Sequence, residues 1–227
     1  MVYMGSKSRI AKHIVPIIQS YVKDVYIEPF VGGANVIDKI QCPIRIGYDA
    51  NKYLIALWQN RERVTFLPDT LSRDEYNKVR DNKDEYAAWY VGAIGFFASY
   101  NGRFFTGGYG NSENSGRNRW LERKRNFLAQ DVLGVQFKWS DYREACIPDG
   151  CTVYCDPPYK STQKYSDAFD SNAFWSWASS LAQRCTVLVS ELTCPLDNVE
   201  LLWQGKIDHR VGDSAPKQVT ERLWRIV

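Results

Sequence analysis

Hydrophobic positions change period along this chain, and the changes mark its elements. Ile10, Ile14, Ile17, Ile18 and Tyr21 recur at helical spacing, with Ser6 or Ser8 placed as the cap and Pro16 placed to kink the helix. Asp24 to Ile27 reads as a short buried strand. It runs into a glycine turn, Glu28-Pro-Phe-Val-Gly-Gly-Ala-Asn35, and Val36 to Ile40 opens a helix. Arg45 to Tyr48 reads as a second strand ending at Asp49. Asn51 then caps an amphipathic helix carrying Tyr53, Leu54, Leu57 and Trp58. Strand, glycine turn, helix, strand, acid is the order of a nucleotide-binding α/β unit.

From residue 61 to 132 the alternation stops. Residues 71–90 are charge-dense and predict helix, and residues 101–118, NGRFFTGGYGNSENSGRN, have a loop composition. Alternation then resumes. Val135 to Trp139 and Thr152 to Cys155 read as strands, Phe174 to Leu181 as a helix and Thr186 to Val189 as a strand. Lys206 to Val211 with Val219 to Val227 reads as a hairpin. The expected division is an α/β domain of residues 1–60 and 133–227, with residues 61–132 inserted into it.

Composition excludes several classes. Hydrophobic residues are 44% and charged residues 24%, as in a globular protein rather than a disordered one. No apolar run reaches the ~18 residues of a membrane span. Ile14 to Ile18 is too short for a signal-peptide core, so a cytoplasmic protein is expected. Charge is 29 basic minus 26 acidic, or +3, so nucleic-acid binding has to be argued from local clusters. The six cysteines form no CxxC pair and the two histidines lie far from them in sequence. No metal site and no disulfide framework is expected, only reduced thiols.

Three constellations carry chemistry. The first is Asp156-Pro157-Pro158-Tyr159 at the end of a buried strand. Two prolines remove two N–H donors and leave bare carbonyls beside an acceptor-only carboxylate. A site of acceptors suits an amino group, and Tyr159 offers a ring face to a flat substrate. The second is the turn from Glu28 through Gly32 and Gly33, with Asp49 after the next strand. There an α/β fold puts the acid that accepts bonds from ribose hydroxyls. The third is a basic run. Arg117, Arg119, Arg123, Lys124 and Arg125 against Glu122 carry +4, beside a loop holding Asn101 and Arg103. The basic residues are expected to neutralise phosphates while Trp120 and Phe127 anchor the segment, and Asn101 and Arg103 are candidates to read base edges.

YIEPFVGGANV, IGYDANKYLIALW and VYCDPPY, in that order, resemble the S-adenosylmethionine-dependent DNA adenine-N6 methyltransferases of the Dam type. YMGSK near the start resembles the family's aromatic–small–Gly–small–Lys segment. The resemblance implies a Rossmann-like methyltransferase sheet, with residues 61–132 as a mainly helical and loop target-recognition module. It implies S-adenosyl-L-methionine as cofactor, double-stranded DNA as partner, and a monomer needing no metal. Restriction–modification, phage self-protection and regulation all stay open as the setting. Tyr3, Gly5 and Lys7 would contact the cofactor from the first segment. Glu28, Phe30, Gly32 and Gly33 would hold its methionine part and Asp49 its ribose. Asp156 would sit between cofactor and base, and Tyr142 could flank the cofactor adenine or belong to the core. Two positions depart from the family pattern: Gly32-Gly33-Ala34 where Gly-x-Gly is frequent, and Ser6 where glycine is frequent. Cytosine N4 is the alternative acceptor, and a DNA-binding protein without activity is a further one. A nicotinamide-dependent dehydrogenase is disfavoured because GxGxxG is missing.

Overall fold

The computed structural model describes residues 1–110, 117–158, 169–209 and 217–227. Its strands are β1 (Val25–Glu28), β2 (Ile44–Asp49), β3 (Val135–Trp139), β4 (Thr152–Cys155), β5 (Thr186–Ser190), β6 (Val199–His209) and β7 (Lys217–Ile226). They form one sheet in the order β3-β2-β1-β4-β5-β7-β6. The pairings from β3 to β5 are parallel, while β7 runs antiparallel to both β5 and β6. β1 is flanked by β2 on one side and β4 on the other, so connections leave it in both directions. A crevice opens at such a switch point, outside the carboxyl ends of the strands.

Side chains alternate across the sheet and fill two layers. Tyr26, Tyr154 and Leu188 face one layer, and Ile27, Val153 and Val187 face the other. Helices α1 (Ala11–Gln19), α2 (Lys52–Gln59) and α4 (Ala88–Phe97) bring residues to the first layer, while α6 (Ser171–Ala182) brings Phe174, Ala178 and Leu181 to the second. Burial on both faces explains why the central strands β4 and β5 are almost wholly buried, whereas the edge strand β3, VQFKW, alternates.

Several elements differ from the sequence pattern. Ser6 caps a single 3-10 turn, Lys7–Arg9, and α1 starts after it without a side-chain cap. α1 continues through Pro16 to Gln19 without a break. The helix expected to open at Val36 is one 3-10 turn, Ile37–Lys39, because Ile40 is already extended and Pro43 disfavours helix at the residue before it.

Between α2 and β3 the chain forms α3 (Arg73–Asp81), α4 and α5 (Arg119–Leu128). Ser72 caps α3 by accepting the Glu75 N–H at 3.1 Å. α4, AWYVGAIGFF, is apolar on every face and fully buried from Val91 to Phe97. It lies so close to α2 that a Cβ on Gly92 would stand 2.3 Å from the Tyr53 carbonyl oxygen. Val91, Phe97, Trp120 and Phe127 share one apolar cluster with Tyr26, Leu54 and Trp58 of the sheet domain. The helices between α2 and β3 therefore share one core with the sheet. Among the described residues no helix is long and apolar enough to cross a membrane.

Candidate active site

Four strands deliver acids to the crevice. β1 ends in Glu28, β2 ends in Asp49, Asp156 follows β4, and Glu191 follows β5. Glu221 comes from within β7. One buried cation, Lys7, stands among them. Its Nζ lies 2.7 Å from Asp156 Oδ1 and 3.7 Å from Glu221 Oε2. Burial raises the Asp156 carboxyl to about 6, opposed by Lys7 and assisted by Glu221. With Lys7 in place Asp156 is ionised at neutral pH, which is the state that accepts hydrogen bonds from an amino group. Pro157 behind it is buried and Pro158 exposed. Tyr159 lies outside the described residues.

Asp49 has its two oxygens on two backbone amides. Gly32 N–H donates to Oδ2 at 3.1 Å and Asn51 N–H to Oδ1 at 2.9 Å. Each oxygen keeps a further acceptor site. Burial pushes this carboxyl up to about 6 while the Asn51 and Gly32 amides hold it down. Gly32 has φ +45°, and a Cβ there would meet the Tyr3 ring at 2.9 Å. The close approach that demands this glycine is therefore made by Tyr3. Ala34, where the family pattern has glycine, also takes a left-handed backbone, φ +52°. Ser6, the other departure, accepts the Asn35 amide at 2.9 Å and ties the first segment to the glycine turn.

Glu28 is buried and accepts the Tyr26 hydroxyl at 2.8 Å. Burial drives its carboxyl well above the usual range. Phe30 packs on Tyr142, ring centroids 5.1 Å apart, and both meet Phe169 and Phe174. Tyr142 is thus buried in an aromatic cluster that borders the turn.

A carboxylate before Pro-Pro, an acid after β2 and a glycine turn after β1 are the features that carried the family resemblance, and the Lys7 ion pair adds to them. Residues 3–184 match the D12 class N6 adenine-specific DNA methyltransferase family. The chain belongs to that family. It is an adenine-N6 methyltransferase whose methyl donor is S-adenosylmethionine. Looser likenesses exist among solved structures. A protein assigned as an RNA methyltransferase from Pyrococcus horikoshii is 12% identical, with 96% of this chain and 83% of that chain covered and a TM-score of 0.45. A precorrin-6y C5,15-methyltransferase from Geobacter metallireducens is 10% identical, with 93% and 85% covered and a TM-score of 0.38. These overlaps add nothing to the fold, which rests on strand order and register.

The structure brings Tyr3, Gly5, Lys7, Glu28, Gly32, Asp49 and Asp156 to one crevice. Tyr3 feels both Asp49 and Asp156, and Gly5 accepts from Lys7 at 3.4 Å. Lys7, expected at the cofactor, is paired with Asp156.

The basic run divides. Arg117 is exposed and pairs with Glu122 at 3.3 Å, while Arg119 stacks its guanidinium 6.0 Å from the Tyr100 ring. Asn101 is exposed and Arg103 half-buried in the adjoining loop. Arg123 and Lys124 point inward, both 7% exposed. The Arg123 guanidinium donates to the Phe97 carbonyl at 2.8 Å and to the Ser99 carbonyl at 2.5 Å. Lys124 donates to the Leu67 carbonyl and pairs with Asp69. Both cations are engaged by interior backbone carbonyls, and their burial turns them away from a phosphate backbone, against the expectation of phosphate contacts.

Sequence reading passed over Glu191 and Glu221. The signal for Glu191 was present: it follows an apolar strand just as Asp156 does. Among the described residues no group of histidine, cysteine and acidic side chains could hold a metal ion.

Proposed function

We propose that this methyltransferase acts on adenine N6 in double-stranded DNA, as a cytoplasmic monomer, with the target base swung out of the helix. The observation that carries the reading is the Lys7–Asp156 ion pair at the β1/β4 switch point, one strand from Glu28 and two from Asp49. The residues present fit S-adenosylmethionine. Asp49 keeps acceptor sites for a ribose diol, Tyr3 and the Gly32 turn floor the crevice, and the surplus of acids suits a cation. Bound there, the cofactor supplies an electrophilic methyl group.

The chain's own residues then solve one problem. The exocyclic nitrogen is a poor nucleophile because its lone pair is delocalised into the ring. Asp156 and the Pro157 carbonyl accept its two hydrogens and localise that pair. Lys7 keeps Asp156 charged. Fixed acceptors then meet the charge that develops on nitrogen, and positioning supplies much of the rate. An amino group inside a stacked duplex cannot reach this crevice, so the base must leave the stack at a cost of a few kcal/mol. Stacking on Tyr159, worth ~1–3 kcal/mol, repays part of it. Asn101, Arg103, Arg117 and Arg119 form the proposed DNA face of the 61–132 target-recognition segment.

Nucleoside mass spectrometry of treated DNA tests the reading. N6-methyladenine is expected from wild type and absent with Asp156→Ala. N4-methylcytosine as the sole product would decide for the cytosine reading. A folded protein that binds cofactor and DNA yet yields neither product would overturn the proposed activity on DNA.

A further inference from the structure

β5 delivers an acid that the reaction above does not use. Cys155 of β4 lies opposite Val189 of β5, so Ser190 and Glu191 continue alongside Asp156 and Pro157, one strand spacing of ~4.8 Å away. The Glu191 backbone is pinned by β7. Its N–H donates to the Arg222 carbonyl at 3.2 Å, and its carbonyl accepts from the Trp224 indole at 3.1 Å. Arg222 also donates to the carbonyl of Leu192, the next residue. The side chain is only 9% exposed, and its Oε2 is buried without a hydrogen-bond partner. The groups that face it are Asp156 after β4, Lys7 from the first turn and Glu221 on β7. An orphaned buried acceptor costs stability, so holding one rigidly at the crevice implies a ligand atom that completes it.

The order of strands says which ligand. Asp49 on β2 and Glu28 on β1 lie to one side of Asp156, and Glu191 lies to the other. In the proposed reaction the Asp49 side holds the methyl donor, which leaves the Glu191 side to the base. On that reading of the site, we propose that Glu191 is a further substrate-recognition residue whose Oε2, as a protonated carboxyl, donates to a ring nitrogen beside the amino group of the target adenine. Adenine presents acceptors next to its amino group. Asp156 and the Pro157 carbonyl, acceptors themselves, would repel those nitrogens, so a donor is needed beside them. Burial pushes Glu191 up to about 7, with the Leu192 amide and Lys7 opposing and Asp156 and Glu221 adding. A carboxyl kept neutral by its surroundings can serve as a hydrogen-bond donor near neutral pH.

The test compares wild type, Glu191→Gln and Glu191→Ala. DNA methylation is measured from pH 6 to 9 at saturating S-adenosylmethionine, and cofactor affinity by calorimetry. Wild-type kcat/KM for DNA should fall as pH rises past about 7. The Gln variant keeps a donor in its amide, so it should stay within about threefold of wild type at pH 6.5 and lose the high-pH limb. The Ala variant should lose about tenfold at pH 6.5 with cofactor affinity unchanged. A high-pH limb that persists in Glu191→Gln would overturn the assignment, as would cofactor affinity that falls in step with rate. A wild type that makes no N6-methyladenine overturns the proposed function itself. A methylating wild type with unaltered variants overturns only the role of Glu191.

Discussion

Lys7→Gln isolates what the buried cation does for Asp156. An opposite charge this close lowers a carboxyl by roughly one to three pH units. Removing it should carry Asp156 from about 6 to the range of roughly 7–9. With a value near 8, the ionised fraction at pH 7 falls from about nine-tenths to about one-tenth, so methylation slows about tenfold there. The loss is conditional: as the pH rises to 9 the Asp156 carboxylate returns, and the ratio of variant to wild-type rate should climb back towards one. Transfer of a tritiated methyl group to DNA, followed from pH 5.5 to 9.5 at saturating cofactor, gives the profile, and circular dichroism shows whether the variant is folded. The low-pH limb should move upward by one unit or more. A rate reduced equally at every pH, with the limb where wild type has it, would refute the electrostatic role and leave Lys7 as a packing or binding residue.

Asp49→Ala should weaken S-adenosylmethionine binding ten- to a hundredfold, from the loss of ~1.5–3 kcal/mol in charge-assisted bonds, and unchanged affinity in a folded variant by calorimetric titration would remove the ribose assignment. Replacing Arg117 and Arg119 together by alanine should change the log–log salt slope of DNA binding by ~1.8. Arg123→Met should instead lower the melting temperature and leave that slope alone; a changed slope would return Arg123 to the DNA face. Asp49, Asp156 and Glu191 all have folded-state values raised, to about 6, 6 and 7. The native protein then binds more protons than the unfolded chain between pH ~4 and ~7, so thermal stability from these groups should fall as pH rises through that window. Melting curves at a series of pH values check the sign, and the cofactor's cation should flatten the slope.

The alternating and buried strands were legible because each carries its own period, and the acids that end them follow from strand order. The all-apolar α4 was not. A helix buried on every face has no polar stripe to reveal its period, and its two glycines argue against helix until the close approach to α2 is seen. Arg123 and Lys124 misled for the opposite reason. Charge density drew the eye, yet Trp120, Arg123, Lys124 and Phe127 stand at i, i+3, i+4 and i+7, which puts all four on one face. The partnership of Lys7 with Asp156 could not be read, because nothing local links an N-terminal turn to a strand end far along the chain.

β7 has a consequence for how the enzyme comes into being. It is the strand through which β6 joins the sheet, and it carries Glu221 to a lysine 214 positions earlier in the chain. A chain cut short before residue 217 would lack β7, leave β6 with no strand to pair with and the β5 edge open, and lose the contacts that pin Glu191. Contacts of such sequence separation form late and slowly during folding. Competence for methylation should therefore arrive in one late step, when the hairpin docks, and nascent or truncated chains should be inert and prone to edge-to-edge association.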